Sequence, residues 1–488
     1  MIYESTRNAG LQSSESEALL KGSAEDGGLY VDRYLKEKKI PLQDLLKMDY
    51  RETALAVLSM FFDGIGREKL KTAIDAAYDR FDIPETVALQ KAGDIHVLEL
   101  FHGPTSAFKD VALTLLPHLL SNALPEGEKA LILTATSGDT GKAALSGFAD
   151  VPRTGILVYY PKDGTSRIQE LQMTTQEGEN VAVYGLKGNF DDAQTAVKEV
   201  FADQEFRKEL LEKKIRLTSA NSINIGRLMP QIVYYFDAYR QLVLSGSIPV
   251  GEKIRFSVPS GNFGDVLAGY YAYCLGLPVR RFIVASNANN VLTDFVRTGV
   301  YDRRRPFYKT ISPSMDILIS SNLERLLYYL SDENNEETAA YMRELKEKGC
   351  YRINETMREK LQKLFAAEYF SDEETSAVIR RVYEKEGYLL DPHSAIGYAA
   401  AERYKEEGKI VALATASPFK FPAYVLKALG QDVAEDEFVN LRKLAEVSRQ
   451  MAPPAIARLQ ELPVRFEEAI GREEVRNSIG RFLKEHAL

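Results

Sequence analysis

From about residue 95 onward, short apolar runs rich in β-branched and aromatic side chains alternate with longer stretches of helical spacing. The runs fall at 95–100, 130–136, 155–161, 181–186, 253–259, 281–286 and 409–414. Strands that are apolar on both faces belong in sheets covered on both sides, and intervening helices make such sheets parallel. The pattern therefore predicts an α/β chain with doubly wound parallel sheets. Ligands of such folds sit beyond the carboxyl ends of the strands, so the loops after these runs are where chemistry is expected. Residues 1–95 read instead as mostly helical, with periodic segments at 51–60 and 67–80 and a turn at Asp26-Gly27-Gly28. Between about 315 and 390 the chain becomes a series of charged helices with solvated faces, a helical insertion. From about 435 it is again charged and helical, broken at Pro453-Pro454. The expected organisation is an N-terminal domain at 1–95, an α/β region at 96–440 and a C-terminal helical segment at 441–488.

Composition narrows the function classes. The chain has 488 residues, 45% hydrophobic and 27% charged, which is enough for two or three packed domains. No stretch approaches a membrane span, and the first residues lack the basic-then-apolar pattern of a signal peptide, so a soluble cytoplasmic protein with no membrane partner is expected. The net charge of −8 argues against a nucleic-acid partner. Cys274 and Cys350 stand far apart with no metal-ligand spacing around either, so unpaired thiols and no metal site are expected.

Five segments carry candidate chemistry. The first is Phe101-His-Gly-Pro-Thr-Ser-Ala-Phe-Lys109-Asp110. A lysine beside an aspartate is ordinarily a solvated surface pair. The helix that follows is apolar on nearly every side from Val111, so its first turn is expected inside the protein. A buried amine loses its charge readily, and a neutral amine attacks carbonyls. The second, Thr134-Ala-Thr-Ser-Gly-Asp-Thr-Gly-Lys-Ala143, enters a helix through small residues whose backbone N–H groups suit an anion. It is not a P-loop, because the leading glycine is missing and Ala143 stands where Ser or Thr binds magnesium; a plain βα turn is the alternative. The third is Ser219-Ala-Asn221-Ser222-Ile-Asn224-Ile-Gly-Arg227, in which helix-capping residues are followed by a fork-shaped cation suited to a phosphate. The fourth, Val258-Pro-Ser260-Gly261-Asn262-Phe263-Gly264-Asp265, joins a strand to a helix with glycines that let the backbone curl around a phosphate. The fifth is Ala414-Thr415-Ala416-Ser417-Pro418, after the last run. His393, in Asp391-Pro-His393, reads as a hydrogen-bonded histidine at a capped helix start, and Gly188-Asn189-Phe190-Asp191-Asp192 is assigned only structure.

In this order the segments resemble threonine synthases of the bacterial and fungal type, pyridoxal-phosphate enzymes of the tryptophan-synthase-β superfamily. The N-terminal strings Tyr3-Glu-Ser-Thr-Arg7 and Asp26-Gly-Gly-Leu-Tyr-Val31 resemble the same family. The resemblance runs from Tyr3 to about Pro422 and implies the two-lobed fold type II. It implies that Lys109 is the catalytic residue and holds pyridoxal phosphate as a Schiff base. Ser260, Gly261, Asn262, Phe263 and Gly264 would cup the cofactor's phosphate, and Thr415, with Ser417 as the alternative, would bond its pyridine nitrogen. Thr105, Ser137, Gly138, Asp139 and Thr140 would hold the substrate, the last four at its α-carboxylate. Asn221, Ser222 and Arg227 would hold the phosphate of O-phospho-L-homoserine. Many superfamily members carry Asn where Asp139 stands, facing the cofactor's phenolic oxygen. An ionised carboxylate would repel that oxygen, so the role of the Asp139 side chain is left open. The implied activity is a carbon–oxygen lyase forming threonine and phosphate, in a monomer or homodimer. A phospho-lyase releasing a 2-keto acid, or an idle scaffold of the same fold, would keep much of the same sequence.

Overall fold

The computed structural model describes residues 1–136, 138–162 and 164–486. Two parallel sheets organise it. One has six strands in the order Phe365–Tyr369, Val279–Ser286, Ile254–Pro259, Ile410–Ala414, Ile95–Glu99 and Ala88–Ala92, of which the last alone is antiparallel to its neighbour. The other has five parallel strands in the order Ala469–Ile470, Val181–Leu186, Thr154–Pro161, Lys129–Ala135 and Ile215–Thr218. Ile254–Pro259, Ile410–Ala414, Thr154–Pro161 and Val181–Leu186 are buried along their whole length, as continuous apolar runs between helical layers must be. Every run picked out by periodicity lies on one of these strands. Among the described residues no helix is long and apolar enough to cross a membrane.

The N-terminal part is helical as expected, its helix Tyr50–Ser59 opened by a reciprocal capping box between Asp49 and Glu52. It also holds a small antiparallel sheet, Asn8–Ser14, Ile2–Ser5 and Tyr30–Val31, which the helical reading of this region misses. This sheet docks on the helix Leu323–Leu330. Tyr328 donates to Glu4 at 2.6 Å, Arg7 pairs with Glu324 at 2.8 Å, and the buried Arg325 donates to the Tyr30 carbonyl at 2.8 Å. One apolar core runs from Tyr3 through Leu116, Tyr235 and Phe282 to Leu413, so the docked part shares its interior with the six-stranded sheet.

Other differences from the sequence reading have local causes. The helix expected to run on from Lys109 is two pieces, Lys109–Leu113 and Leu116–Ala123, and the second opens on Pro117, which cannot donate a helical hydrogen bond. The charged insertion contributes the edge strand Phe365–Tyr369, and the C-terminal segment contributes Ala469–Ile470. Ile479 and Phe482 on the last helix pack with Leu133 and Tyr159 against the five-stranded sheet. Cys274 and Cys350 are unpaired.

Candidate active site

Lys109 opens its helix beyond the carboxyl end of Ile95–Glu99, an inner strand of the six-stranded sheet, and the backbone around it is stitched to the segment after Ile410–Ala414. Leu100 N–H donates to the Ala414 carbonyl at 3.0 Å, Phe108 N–H to Thr415 at 2.8 Å, and Ser417 N–H to Ser106 at 3.1 Å. Asp110, fully buried, accepts from the Thr105 N–H at 2.8 Å and the Thr105 hydroxyl at 2.5 Å, which closes the turn at Gly103-Pro104 and aims the helix. A Cβ on Gly103 would meet Asp110 Cβ at 2.3 Å, so only glycine fits there.

The second loop reaches Lys109 from the other sheet. The helix Asp139–Phe148 lies so close to Lys109–Leu113 that a Cβ on Gly147 would stand 2.0 Å from the Leu113 carbonyl oxygen. This contact brings Asp139 Oδ2 to 3.7 Å from Lys109 Nζ. The other oxygen, Oδ1, is 2.6 Å from Nζ of Lys420, a buried lysine that also donates to the Thr105 carbonyl at 3.2 Å. Lys142, buried on the same helix as Asp139, donates to Gln172. Thr136 holds the loop, its hydroxyl accepting from the N–H groups of Gly138 at 3.1 Å and Gly141 at 3.2 Å. The N–H of Thr140 meets no acceptor among the described residues. Ser137 lies outside the described residues.

These groups set one another's charge. Burial lowers the Lys109 amine to about 8; Asp139 pulls it back up, while Lys420 and Arg227 push it down. Burial alone would raise Asp139, but Lys420, Lys109 and Lys142 hold it well below the usual carboxylate range. Asp139 is therefore ionised, and its charge is already matched by lysines. Burial, with Lys420 adding to it, pushes Lys142 down.

The third and fourth loops meet through Asn322. Its Nδ2 donates to the Ser222 carbonyl at 3.1 Å, its N–H donates to Asn262 at 3.1 Å, and its Oδ1 accepts from Arg325, which also donates to Ile223 at 2.6 Å. Arg227, on Ile225–Leu228, is buried and donates from one Nη to the Ala220 carbonyl at 2.9 Å. No carboxylate pairs with it among the described residues, its Nε is buried with no acceptor, and burial lowers it to about 10. A buried cation left unmatched in this way is an anion site waiting for its ligand. In the fourth loop, Phe263 takes the left-handed conformation (φ 63°) and turns the chain into the helix Gly264–Cys274. The N–H groups from Gly261 to Gly264 engage no backbone acceptor among the described residues, which leaves a row of donors at a helix start. Ser260 is spent on the sheet through its own N–H to Ala285 at 2.9 Å, and its side chain is buried beside the cup. Gly261 also lets the segment carrying Met315 and Ile317 lie against it, at 3.2–3.3 Å from a hypothetical Cβ.

Thr415 follows its strand with its N–H given to Ser394 at 3.0 Å, and its hydroxyl makes no hydrogen bond among the described residues. Ser417 is different: its hydroxyl caps the turn at Phe419 at 3.4 Å. Asn221 turns its side chain to solvent, and only its backbone takes part in the loop, accepting from Asn224 N–H at 3.1 Å. Gly188–Asp192 is a helix start, with Asn189 capping Asp191 and Asp192.

Sequence reasoning missed two residues at the centre. Ser314, from the insertion, accepts a hydrogen bond from Lys109 Nζ at 3.3 Å, and its N–H donates to His393 Nε2 at 3.2 Å, with His393 Nδ1 turned to Asp391 at 2.8 Å. Asp316 fixes that segment by accepting from Asn287, Asn289 and Thr310. Lys420 is the second. Its string Pro418-Phe-Lys-Phe-Pro422 reads as a turn, and the flanking aromatic residues were the one available sign of burial.

Family models of the threonine synthase N terminus and of the threonine synthase C-terminal region match residues 2–78 and 394–479. Threonine synthase of Pseudomonas aeruginosa is 41% identical over 440 residues, covering 88% of this chain and 91% of that protein. Threonine synthase-like 1 of Homo sapiens is 39% identical over 428 residues; the match covers 85% of this chain, which spans 58% of the length of that protein. The crystal structure of PLP-bound threonine synthase from Brucella melitensis has 36% sequence identity and a TM-score of 0.89, with 100% of each chain covered.

Proposed function

Because this chain belongs to the threonine synthase family, we propose that it is a pyridoxal-phosphate-dependent lyase converting O-phospho-L-homoserine and water to L-threonine and phosphate. The observation that carries the reading is the meeting of a nearly buried amine of lowered basicity, Lys109, with two separate anion sites: the N–H groups at Gly261–Gly264 and the Arg227 guanidinium, which lack backbone acceptors and a carboxylate partner respectively among the described residues. One such site suits the phosphate of the cofactor and the other that of the substrate. The residues fit the cofactor, with Lys109 to attach its aldehyde, Ser260 to Gly264 to hold its phosphate, and Thr415 to meet the ring nitrogen with a hydroxyl that makes no hydrogen bond among the described residues. Bound there, pyridoxal phosphate would supply an electron sink that acidifies the substrate C–H bonds at Cα and, one carbon further, at Cβ.

The chain's own groups do the rest. The N-terminus of Asp139–Phe148, where Thr140 N–H meets no acceptor among the described residues, grips the α-carboxylate. Arg227, with the loop carrying Asn221 and Ser222, holds the γ-phosphate and steadies it as the Cγ–O bond breaks. Lys109 takes protons from Cα and Cβ and returns protons to Cγ and Cα; with a pKa near 8, it is present in both forms at neutral pH. Water's hydroxyl goes to Cβ and its proton to the released phosphate, and Cγ becomes the methyl group of threonine. A cytoplasmic location and a monomeric or homodimeric state belong to the same proposal.

The test is to incubate the purified protein with pyridoxal phosphate and O-phospho-L-homoserine and to quantify organic product and phosphate together. Threonine formed one-for-one with phosphate, and lost in Lys109→Ala, supports the reading. A 2-keto acid formed with phosphate would replace it with the phospho-lyase, and no phosphate release would remove Arg227 from the substrate site.

A further inference from the structure

The pairing of Asp139 answers the question its sequence position raises, and it points to a residue that no motif singles out. The carboxylate is divided between two lysines: Oδ1 lies 2.6 Å from Lys420 Nζ and Oδ2 lies 3.7 Å from Lys109 Nζ. Asp139 is 6% exposed and Lys420 4%, so water screens neither charge. Lys420 is fixed by a second bond, to the carbonyl of Thr105, whose N–H and hydroxyl hold Asp110 next to Lys109. Thus Lys420 touches both the carboxylate facing Lys109 and the turn that aims Lys109. A buried ion pair adds little net stability, because desolvation cancels most of the attraction. Stability alone does not account for this one.

We infer that Lys420 is a positioning residue that sets the protonation of Lys109 through Asp139. With Lys420 in place, Asp139 stays ionised and oriented, yet only part of its charge acts on Lys109. Without it, the whole carboxylate would fall to Lys109 and hold the amine protonated. The same pairing lets an aspartate stand near an electron-rich ligand oxygen, since its charge is already matched. The other charged groups facing the pair are Lys142 on the Asp139 helix, Asp110 beside Lys109, and Arg227 across the cleft. Lys142 is tied to Gln172, and Asp110, which accepts from Thr105, has the wrong sign to stand in for Lys420. Burial and the opposed pulls of Asp139 and Lys420 on the Lys109 amine agree with this arrangement.

The inference rests on Lys109 being the reacting amine, but its test needs neither cofactor nor substrate. In the cofactor-free protein, Lys109 is labelled by a small acylating reagent across pH 6–10, and its modification rate is read by peptide mass spectrometry. Removing the carboxylate in Asp139→Asn lowers the midpoint by about one unit, and Lys420→Met raises it by about one unit, the lower end of the shift a charge within about 4–6 Å produces. At pH 7.5, midpoints near 7 and 9 leave the two variants differing in Lys109 reactivity by about twenty-five-fold, in opposite directions from wild type. Lys420→Arg, which keeps the charge, restores the midpoint. A merely structural pair would move both midpoints the same way or leave them unchanged, and either result overturns the inference. Circular dichroism on each variant identifies any that fails to fold, and Lys420→Arg against Lys420→Gln then gives the same contrast. If labelling behaves as expected while the protein makes no threonine, the inference stands and the proposed function falls.

Discussion

Replacing Arg227 with Met should make the unliganded protein more stable while destroying its hold on phosphate. Burial lowers the guanidinium from 12.5 to about 10. At 1.36 kcal/mol per unit, the fold bears about 3 kcal/mol for keeping it charged. The sign follows from linkage: below pH 10 the arginine is protonated in both folded and unfolded chains, so the whole cost is present at pH 7 and is relieved only as pH rises through 10. Met removes that cost and loses the 2.9 Å bond to the Ala220 carbonyl, worth about 1 kcal/mol. The net expectation is a gain of about 2 kcal/mol. Urea denaturation of the cofactor-free protein at pH 7 reads this as a higher midpoint at unchanged slope. In the loaded enzyme the same variant should raise KM for O-phospho-L-homoserine at least thirtyfold, since a charge-assisted bond to a dianion is lost. A variant less stable than wild type by more than 1 kcal/mol, with KM unchanged, would make Arg227 a structural strut and refute the reasoning.

Three further outcomes follow from the same geometry. Burial raises Asp265 to about 6, with Tyr234 and Tyr235 bonded to one oxygen and the other without a partner among the described residues. The cost of the ionised form, about 3 kcal/mol, is fully present above pH 6 and absent below 3.8, so Asp265→Asn should gain stability at pH 8 and none at pH 4, checked by urea melts at both. Ser314→Ala removes the 3.3 Å bond to Lys109 from an exposed position, and kcat should fall about five- to tenfold while the denaturation midpoint holds. Gly147→Ala forces a Cβ against the Leu113 carbonyl and should cost about 1–3 kcal/mol in a urea melt, with slower turnover because the Asp139 and Lys109 helices part.

What was legible in the sequence was whatever a local pattern encodes. Buried parallel strands leave unbroken apolar runs, and glycines at helix starts announce their loops, so the framework and Lys109 could be read directly. The strand Ile215–Thr218 was hidden because it is an edge strand preceded by Lys213 and Lys214 and interrupted by Arg216, so no continuous apolar run marks it. Phe365–Tyr369 was masked by the charged helices on either side. The site residues that went unseen are those whose role is purely tertiary. Ser314 comes to Lys109 across 205 residues of chain, and Lys420 to Thr105 across 315, and no local pattern names the partner of either. The role of Asp139 could not be decided from a lone motif, because its charge depends on that distant lysine.

The most direct test of the central claim asks which lysine carries the cofactor. Three buried or nearly buried lysines, Lys109, Lys142 and Lys420, surround Asp139 in one cleft. The protein loaded with pyridoxal phosphate is reduced with borohydride and digested, and the pyridoxyl label is located by tandem mass spectrometry. The label is expected on Lys109 alone, at one per chain. A label on Lys142 or Lys420, or none, would contradict it.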